Sequence, residues 1–196
     1  MKVNLGSGFN RIDGFVNVDD DPLVNPDYIV NLDDVNIKLP FEDNTVEEIV
    51  AHHILEHIGT GFIPLMQEIY RVCKHGAIID IHVPHHFHEA YYGDPTHKRP
   101  ITINTMKAFS KKFNQENVKK FGGGSGIAMK YNVDFEMIWY DFKYDSFYQG
   151  MVDNYKQRIE AGQVSDEEQF MFTRLMREAT NVANDTMMKL VVIKDD

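Results

Sequence analysis

Apolar and polar positions along the chain follow two regimes. In the first half, short apolar runs alternate with turn residues. Val3 to Leu5 ends in Gly6-Ser7-Gly8, Phe15 to Val18 in Asp19-Asp20-Asp21, and Tyr28 to Leu32 in Asp33-Asp34; Val46 to Ala51 follows the turn-rich Leu39 to Asn44. Runs this short, bounded by Gly, Pro, Asn and Asp, predict strands. At Ile63 to Val72 the period changes, with Leu65, Met66, Ile69, Tyr70 and Val72 at helical spacing. Gly76 reads as the stop of that helix, and Ala77 to Val83, closed by Pro84, as a fifth strand. Strands alternating with helical or looped crossovers predict a parallel sheet with covered faces.

The second half reads differently. Ile103, Met106, Phe109 and Phe113 form one apolar stripe across Ile103 to Phe121, with Lys107, Lys111 and Lys112 outside it. The glycines of Phe121 to Gly126 predict a flexible turn, and Ile127 to Tyr144 alternates like a pair of strands. Ser165, followed by Asp166, Glu167 and Glu168, has the form of a helix N-terminus, with the helix running to about Val182. Met187 to Ile193 is a final strand.

The 196 residues suffice for one domain with a real core, and 43% apolar against 26% charged marks a globular chain. The start lacks the pattern of a signal peptide, no run is long enough to span a membrane, and the single cysteine, Cys73, fits a reducing compartment. The expectation is a cytoplasmic protein with no membrane contact. Its net charge of −10 argues against a general nucleic-acid binder. That charge is uneven: residues 1–50 carry 3 basic and 11 acidic groups, whereas residues 98–120 carry 7 and 1. All nine histidines lie between His52 and His97, just ahead of this basic island.

In an open parallel sheet, ligands collect at the carboxyl ends of the strands. Gly6-Ser7-Gly8 at the first such end lets a ligand approach the backbone, and Asp19 at the second suits the hydroxyls of a ribose. Leu32 and Asp33 at the third can frame an adenine ring, with Asn31 and Asp34 as alternatives for the polar role. His52 and His53 follow the fourth. Taken singly, each is as readily a turn residue; their order on consecutive strand ends is the signal.

The run Asn4-Leu5-Gly6-Ser7-Gly8 and then Gly14-Phe15-Val16-Asn17-Val18-Asp19 resembles the opening of class I S-adenosylmethionine-dependent methyltransferases, in a compact branch with a short first crossover. The segments Leu39-Pro40-Phe41-Glu42-Asp43-Asn44-Thr45-Val46, Ala51-His52-His53-Ile54-Leu55-Glu56-His57-Ile58, Glu68-Ile69-Tyr70-Arg71-Val72 and Gly93-Asp94-Pro95-Thr96-His97-Lys98-Arg99-Pro100 continue the likeness, over roughly residues 2–110 and the closing strand. Two departures are visible: the next glycine after Gly8 is Gly14, and Lys74-His75-Gly76-Ala77 stands where the family has Lys-Pro-Gly-Gly. The resemblance implies a Rossmann-like α/β fold, a mostly parallel sheet of seven strands with an antiparallel final strand and helices on both faces. It implies one domain over 1–196, with residues 1–84 as the cofactor half and 85–196 as the acceptor side. It also implies S-adenosylmethionine as cofactor, held by Leu5, Gly6, Ser7, Gly8, Asp19, Leu32, Asp33, His52 and His53.

The acceptor side is less defined. His53, His85 and His97 are the candidates for proton transfer, because histidine titrates near neutral pH. His86 and Arg99 are candidates for substrate binding, Arg99 because a guanidinium grips an anion with two bonds. The expected partner is a small-molecule acceptor, and the activity is expected on a small or anionic acceptor. His82, His85, His86 and His88 lack a recognised ligand spacing, so no metal is assigned. The alternative reading is a non-catalytic cofactor- or partner-binding module on the same fold. Acceptor identity and oligomeric state lie beyond these patterns.

Overall fold

A computed structural model describes residues 1–124 and 126–194, with the side chain of Arg177 also left undescribed. In chain order the elements are β1 (Lys2–Leu5), β2 (Val16–Asp19), β3 (Tyr28–Ile29), β4 (Val46–His52), α1 (Phe62–Val72), β5 (Cys73–Pro84), α2 (Glu89–Gly93), α3 (Ile103–Lys107), α4 (Lys111–Phe121), α5 (Ile127–Tyr131), β6 (Phe135–Tyr144), α6 (Ser146–Glu160), α7 (Asp166–Glu178) and β7 (Ala183–Val192). The seven strands form one sheet in the order β3-β2-β1-β4-β5-β7-β6. The first five pair in parallel, and β7 enters antiparallel between β5 and β6. This is the Rossmann-like sheet with an antiparallel final strand that the resemblance implied.

Register explains which face is core. Val3, Ile49, Ile79 and Leu190 align across β1, β4, β5 and β7, as do Leu5, Ala51, Ile81 and Met188. Aligned residues share a face, and all eight are buried in the main core with Leu65, Met66 and Ile69 of α1. The alternate positions put Asn4, Asp80 and Lys189 on the opposite face.

Helical cover is uneven. Among the described residues, no α-helix lies between β1 and β4. The first crossover instead packs on two buried asparagines. The Asn4 side-chain amide donates to the Asn10 carbonyl at 3.0 Å and to the Asn17 side-chain oxygen at 2.9 Å, and that oxygen also accepts from Ile12 N–H at 3.0 Å. A helix would satisfy its own backbone groups; a loop needs such side chains to do it.

Several elements depart from the sequence reading. β3 is only two residues, because Asn31 Oδ1 accepts from Asp33 N–H at 2.9 Å and turns the chain. Gly76 does not stop α1. The helix ends at Val72, β5 begins at once, and Gly76 sits at φ +77° where the β4–β5 register slips. The lysine-bearing stripe breaks into α3 and α4, since Ser110 Oγ accepts from Phe113 N–H and caps a new helix. Ile127 to Tyr144 is not a strand pair: its first five residues form α5, closed by Asn132 in the left-handed region. α6 was not read at all. Ser165 does cap α7, although that helix stops at Glu178 and β7 starts earlier, at Ala183. Ser125 of the glycine turn lies outside the described residues.

Candidate active site

Two cavities meet at the carboxyl ends of the parallel strands. The first, about 350 Å³, is lined by Gly6, Asp19, Asp20, Val30, Leu32, Asp33, Ile54, His57, Ile58, Thr96 and Lys98. The second, about 400 Å³, is lined by His53, Glu56, His57, Pro84, His88, Ala90, Asp94, His97, Asn184 and Asp185. His57 belongs to both.

The polar groups of the first cavity are set by backbone. Gly6 has φ +64°, and a Cβ there would lie 2.5 Å from Ile54 Cγ1, so only glycine fits against the Ile54 side chain. Asp19 Oδ2 accepts from Gly8 N–H at 2.8 Å and Oδ1 from Asp21 N–H at 3.0 Å, which fixes the carboxylate and leaves further lone pairs to accept from a ligand. Asp33 is a clasp: Oδ1 accepts from the Gly59 and Gly61 amides at 2.8 Å each, and Oδ2 from Lys98 Nζ at 2.5 Å. Burial pushes the Asp33 carboxyl up, but Lys98 and the two amides outweigh it and hold it below the usual range. A Cβ on Gly61 would come within 2.5 Å of the Asp33 carbonyl carbon, so this clasp requires a glycine too.

The second cavity is built on the 3₁₀ turn Leu55–His57 after β4. Glu56 is 1% exposed, and neither carboxylate oxygen has a hydrogen-bond partner. The nearest cationic group is His53, whose Nδ1 is 3.6 Å from Oε1. Glu56 raises the His53 pKa, against the lowering by burial, with Asp185 adding to the rise. The His97 ring is nearly buried, donates from Nδ1 to the Tyr91 carbonyl at 2.6 Å, and meets His57 edge to face at 4.7 Å. Among the described residues no lysine or arginine belongs to this lining, although Lys143 Nζ reaches within 3.6 Å of Asp185 Oδ2.

The expected site residues divide accordingly. Gly6, Asp19, Leu32 and Asp33 line the first cavity, and His53 and His97 the second. Gly8 holds Asp19 from behind. Leu5 is core, and Ser7 is buried with its hydroxyl unpartnered. His52 points to the other face of the sheet, where its ring stacks on His82 and its Nε2 lies 3.4 Å from Asp80 Oδ1. His85 is wholly buried, lies in neither lining, and has its pKa lowered to about 4 by burial. His86 lines a separate cavity with Thr102, Lys107 and Glu178. Arg99 does not face an acceptor: it donates to the Gly59 carbonyl at 2.6 Å and stacks over Phe62. Sequence reasoning gave no role to Ile54, Glu56 and His57, and it offered the Thr96–Arg99 segment to an anionic acceptor, whereas Thr96 and Lys98 line the first cavity. The signals for Glu56 were its place in the Ala51 to Ile58 segment of the resemblance and its position three residues after His53.

A family model described as a methyltransferase domain matches residues 18–81, which span Asp19 to the end of β5's core-facing run. No curated protein matches the sequence. Among solved structures, a SAM-dependent methyltransferase from Archaeoglobus fulgidus superposes with a TM-score of 0.56 at 16% identity, covering 97% of this chain and 85% of that one. The chain carries the class I methyltransferase fold. Its resemblance to the S-adenosylmethionine-dependent methyltransferases holds on that family match and that fold. YcgJ from Bacillus subtilis, with a TM-score of 0.53 at 12% identity, covers 100% and 92% of the two chains. The [4+2]-cyclase SpnF, at 0.52 and 12%, covers 99% and 75%. A methyltransferase-fold sheet therefore supports more than one chemistry, and the cleft has to argue its own. No helix among the described residues is long and apolar enough to cross a membrane.

Proposed function

We propose that the chain is an S-adenosylmethionine-dependent methyltransferase, with the cofactor in the first cavity and a small-molecule acceptor in the second. The observation that carries this reading is the Asp19 carboxylate, held by Gly8 N–H and Asp21 N–H beside a glycine that no side chain could replace. The residues suit the group: Gly6 admits close approach, Asp19 accepts from ribose hydroxyls, and Val30, Leu32, Ile54 and Ile58 supply apolar walls for a base. When bound, S-adenosylmethionine supplies a methyl group on a positively charged sulfur.

The chain's own part is positioning and water exclusion. Lys98 and Asp33 tie the acceptor-side segment to the end of β3 and close the first cavity from above. His57, shared by both linings, marks the boundary that a methyl group crosses. An acceptor that arrives protonated must lose its proton on transfer, and His53, half-exposed at the second cavity and backed by Glu56, is the group we assign to take it. His97, in the same lining, orients the acceptor.

Titration calorimetry with S-adenosylhomocysteine tests the reading. Wild-type protein binds it, and Asp19→Ala loses about 1.5–3 kcal/mol, or roughly 10–100-fold in affinity, as expected for hydrogen bonds to a charged acceptor. Absence of binding at millimolar ligand overturns the assignment. Binding without turnover of any acceptor would favour the non-catalytic module.

A further inference from the structure

The second cavity presents ligand-type lone pairs on Glu56, His57 and His97, with His53 Nδ1, 3.6 Å from Glu56 Oε1, the one nearby donor among the described residues. His97 uses its Nδ1–H on the Tyr91 carbonyl, which can only accept, so the neutral ring carries its lone pair on Nε2. His57 is set the same way. The Thr96 hydroxyl spends its proton on Asp94 Oδ1 at 2.6 Å, so its oxygen accepts from His57 Nδ1 at 2.9 Å. Glu56 adds a buried carboxylate with no hydrogen bond to either oxygen. Glu56, His57 and His97 each offer a ligand atom within 4.8 Å of the others.

A buried carboxylate beside two imidazole lone pairs is electrostatically incomplete. Water can donate to such a site, but each ring is already oriented through its far nitrogen, the arrangement by which metal-bound histidines are held. Zinc-type bonds of about 2.0–2.2 Å place tetrahedral ligands roughly 3.3–3.6 Å apart. Three protein ligands facing a 400 Å³ cavity leave a coordination position open.

We propose that Glu56, His57 and His97 bind one divalent transition-metal ion of the zinc class, with its open position toward the second cavity. Lys143 Nζ, 3.6 Å from Asp185 Oδ2, offsets that acid alone; the ion supplies positive charge beside Glu56 and Asp94, so an oxyanion or hydroxyl acceptor can bind there. Only this placement at the acceptor end rests on the methyltransferase reading; the metal site does not.

The experiment is a cobalt(II) titration of chelator-treated protein without a histidine tag, followed by visible absorption, with zinc(II) competing. Wild type shows a saturable one-to-one spectrum of low coordination number that zinc displaces. Glu56→Gln and His97→Ala each weaken binding at least about 100-fold, beyond the usual 10–100-fold loss of an outer partner. His82→Ala, in the histidine cluster on the opposite sheet face, leaves it unchanged. Circular dichroism checks the fold of each variant, and Glu56→Gln keeps the shape if His97→Ala does not fold. A wild-type titration without a stoichiometric spectrum overturns the proposal, as does binding lost in His82→Ala but kept in Glu56→Gln. Calorimetry with S-adenosylhomocysteine on the same samples separates the two readings. Cobalt bound without that ligand supports the metal site and removes the cofactor assignment. The ligand bound without cobalt overturns the metal site alone.

Discussion

Two clusters of histidines around a carboxylate flank the carboxyl end of β4, and they are finished in opposite ways. On the open face of the sheet, His52 Nε2 and His82 Nε2 approach Asp80 Oδ1 at 3.4 and 3.2 Å, and Lys189 Nζ approaches Oδ2 at 3.4 Å. His52, Asp80 and His82 also have ligand-type atoms within 4.8 Å of one another, but here the imidazoles and Lys189 all turn toward the carboxylate. In the cleft, Glu56 is more deeply buried than Asp80, yet its oxygens take no hydrogen bond: His53 Nδ1 stays 3.6 Å away, and His57 and His97 spend their Nδ1 protons elsewhere. Residue types are the same; the direction of the protons differs. A closed cluster stabilises the sheet, whereas an open one is a place for something to bind.

The sharpest break between them is expected in turnover. With an acceptor in hand, Glu56→Gln lowers kcat by at least about 100-fold, the scale of a lost proton-transfer partner. Asp80→Asn, on the wrong face for either cavity, stays within about twofold. Steady-state kinetics on both variants measures this directly. Equal losses in the two would mean that the sheet-face cluster also serves the site.

How much of this contrast the chain revealed depends on distance along it. The sheet was legible because each strand is a local apolar run with its own stop, and Gly6, Asp19 and Leu32 lie at those stops. α6 was not, since its apolar Phe147 and Met151 remain exposed and only Val152 and Tyr155 are buried. Lys98 meets Asp33 across 65 residues of chain, which no local pattern encodes. The crowding of His82, His85, His86 and His88 suggested a shared role, but strand alternation and the following turn scatter them. His82 faces the open sheet, His85 is buried, and His86 lines another cavity, whereas His88 accepts from Ala90 N–H at 3.0 Å to cap α2. Glu56 was hidden for the opposite reason: a lone acidic residue among apolar ones carries no period.

His85 sharpens the comparison through pH. Its Nε2 is buried without a partner, and burial lowers its pKa to about 4 from the ordinary 6.5. A base with a depressed folded pKa binds fewer protons folded than unfolded. It therefore costs stability as pH falls below 6.5, and the loss levels off below about 4. At pH 5 the deficit is about 2 kcal/mol. His85→Phe keeps an aromatic ring against Phe87 and Phe142 and removes that loss, so its urea midpoint between pH 7 and 5 moves less than that of wild type.

Asp80→Asn is the smallest of these effects and isolates the closed cluster. Burial pushes the Asp80 carboxyl up, but hydrogen bonds from His52 and His82 and the charge of Lys189 carry it far below the ordinary carboxylate range. A depressed acid stabilises the fold above its unfolded pKa of about 4 and loses that contribution as pH falls below it. Because the group is partly solvated, the contribution there is about 1 kcal/mol. Denaturation curves of Asp80→Asn should therefore fall below wild type at pH 7, keep most of that gap at pH 4, and converge with it only well below pH 3. Glu56→Gln should show a smaller deficit, since its carboxylate takes no hydrogen bond and meets only the His53 imidazole, at 3.6 Å; a matching loss would mean that this one contact stabilises the fold as much as the whole Asp80 cluster does.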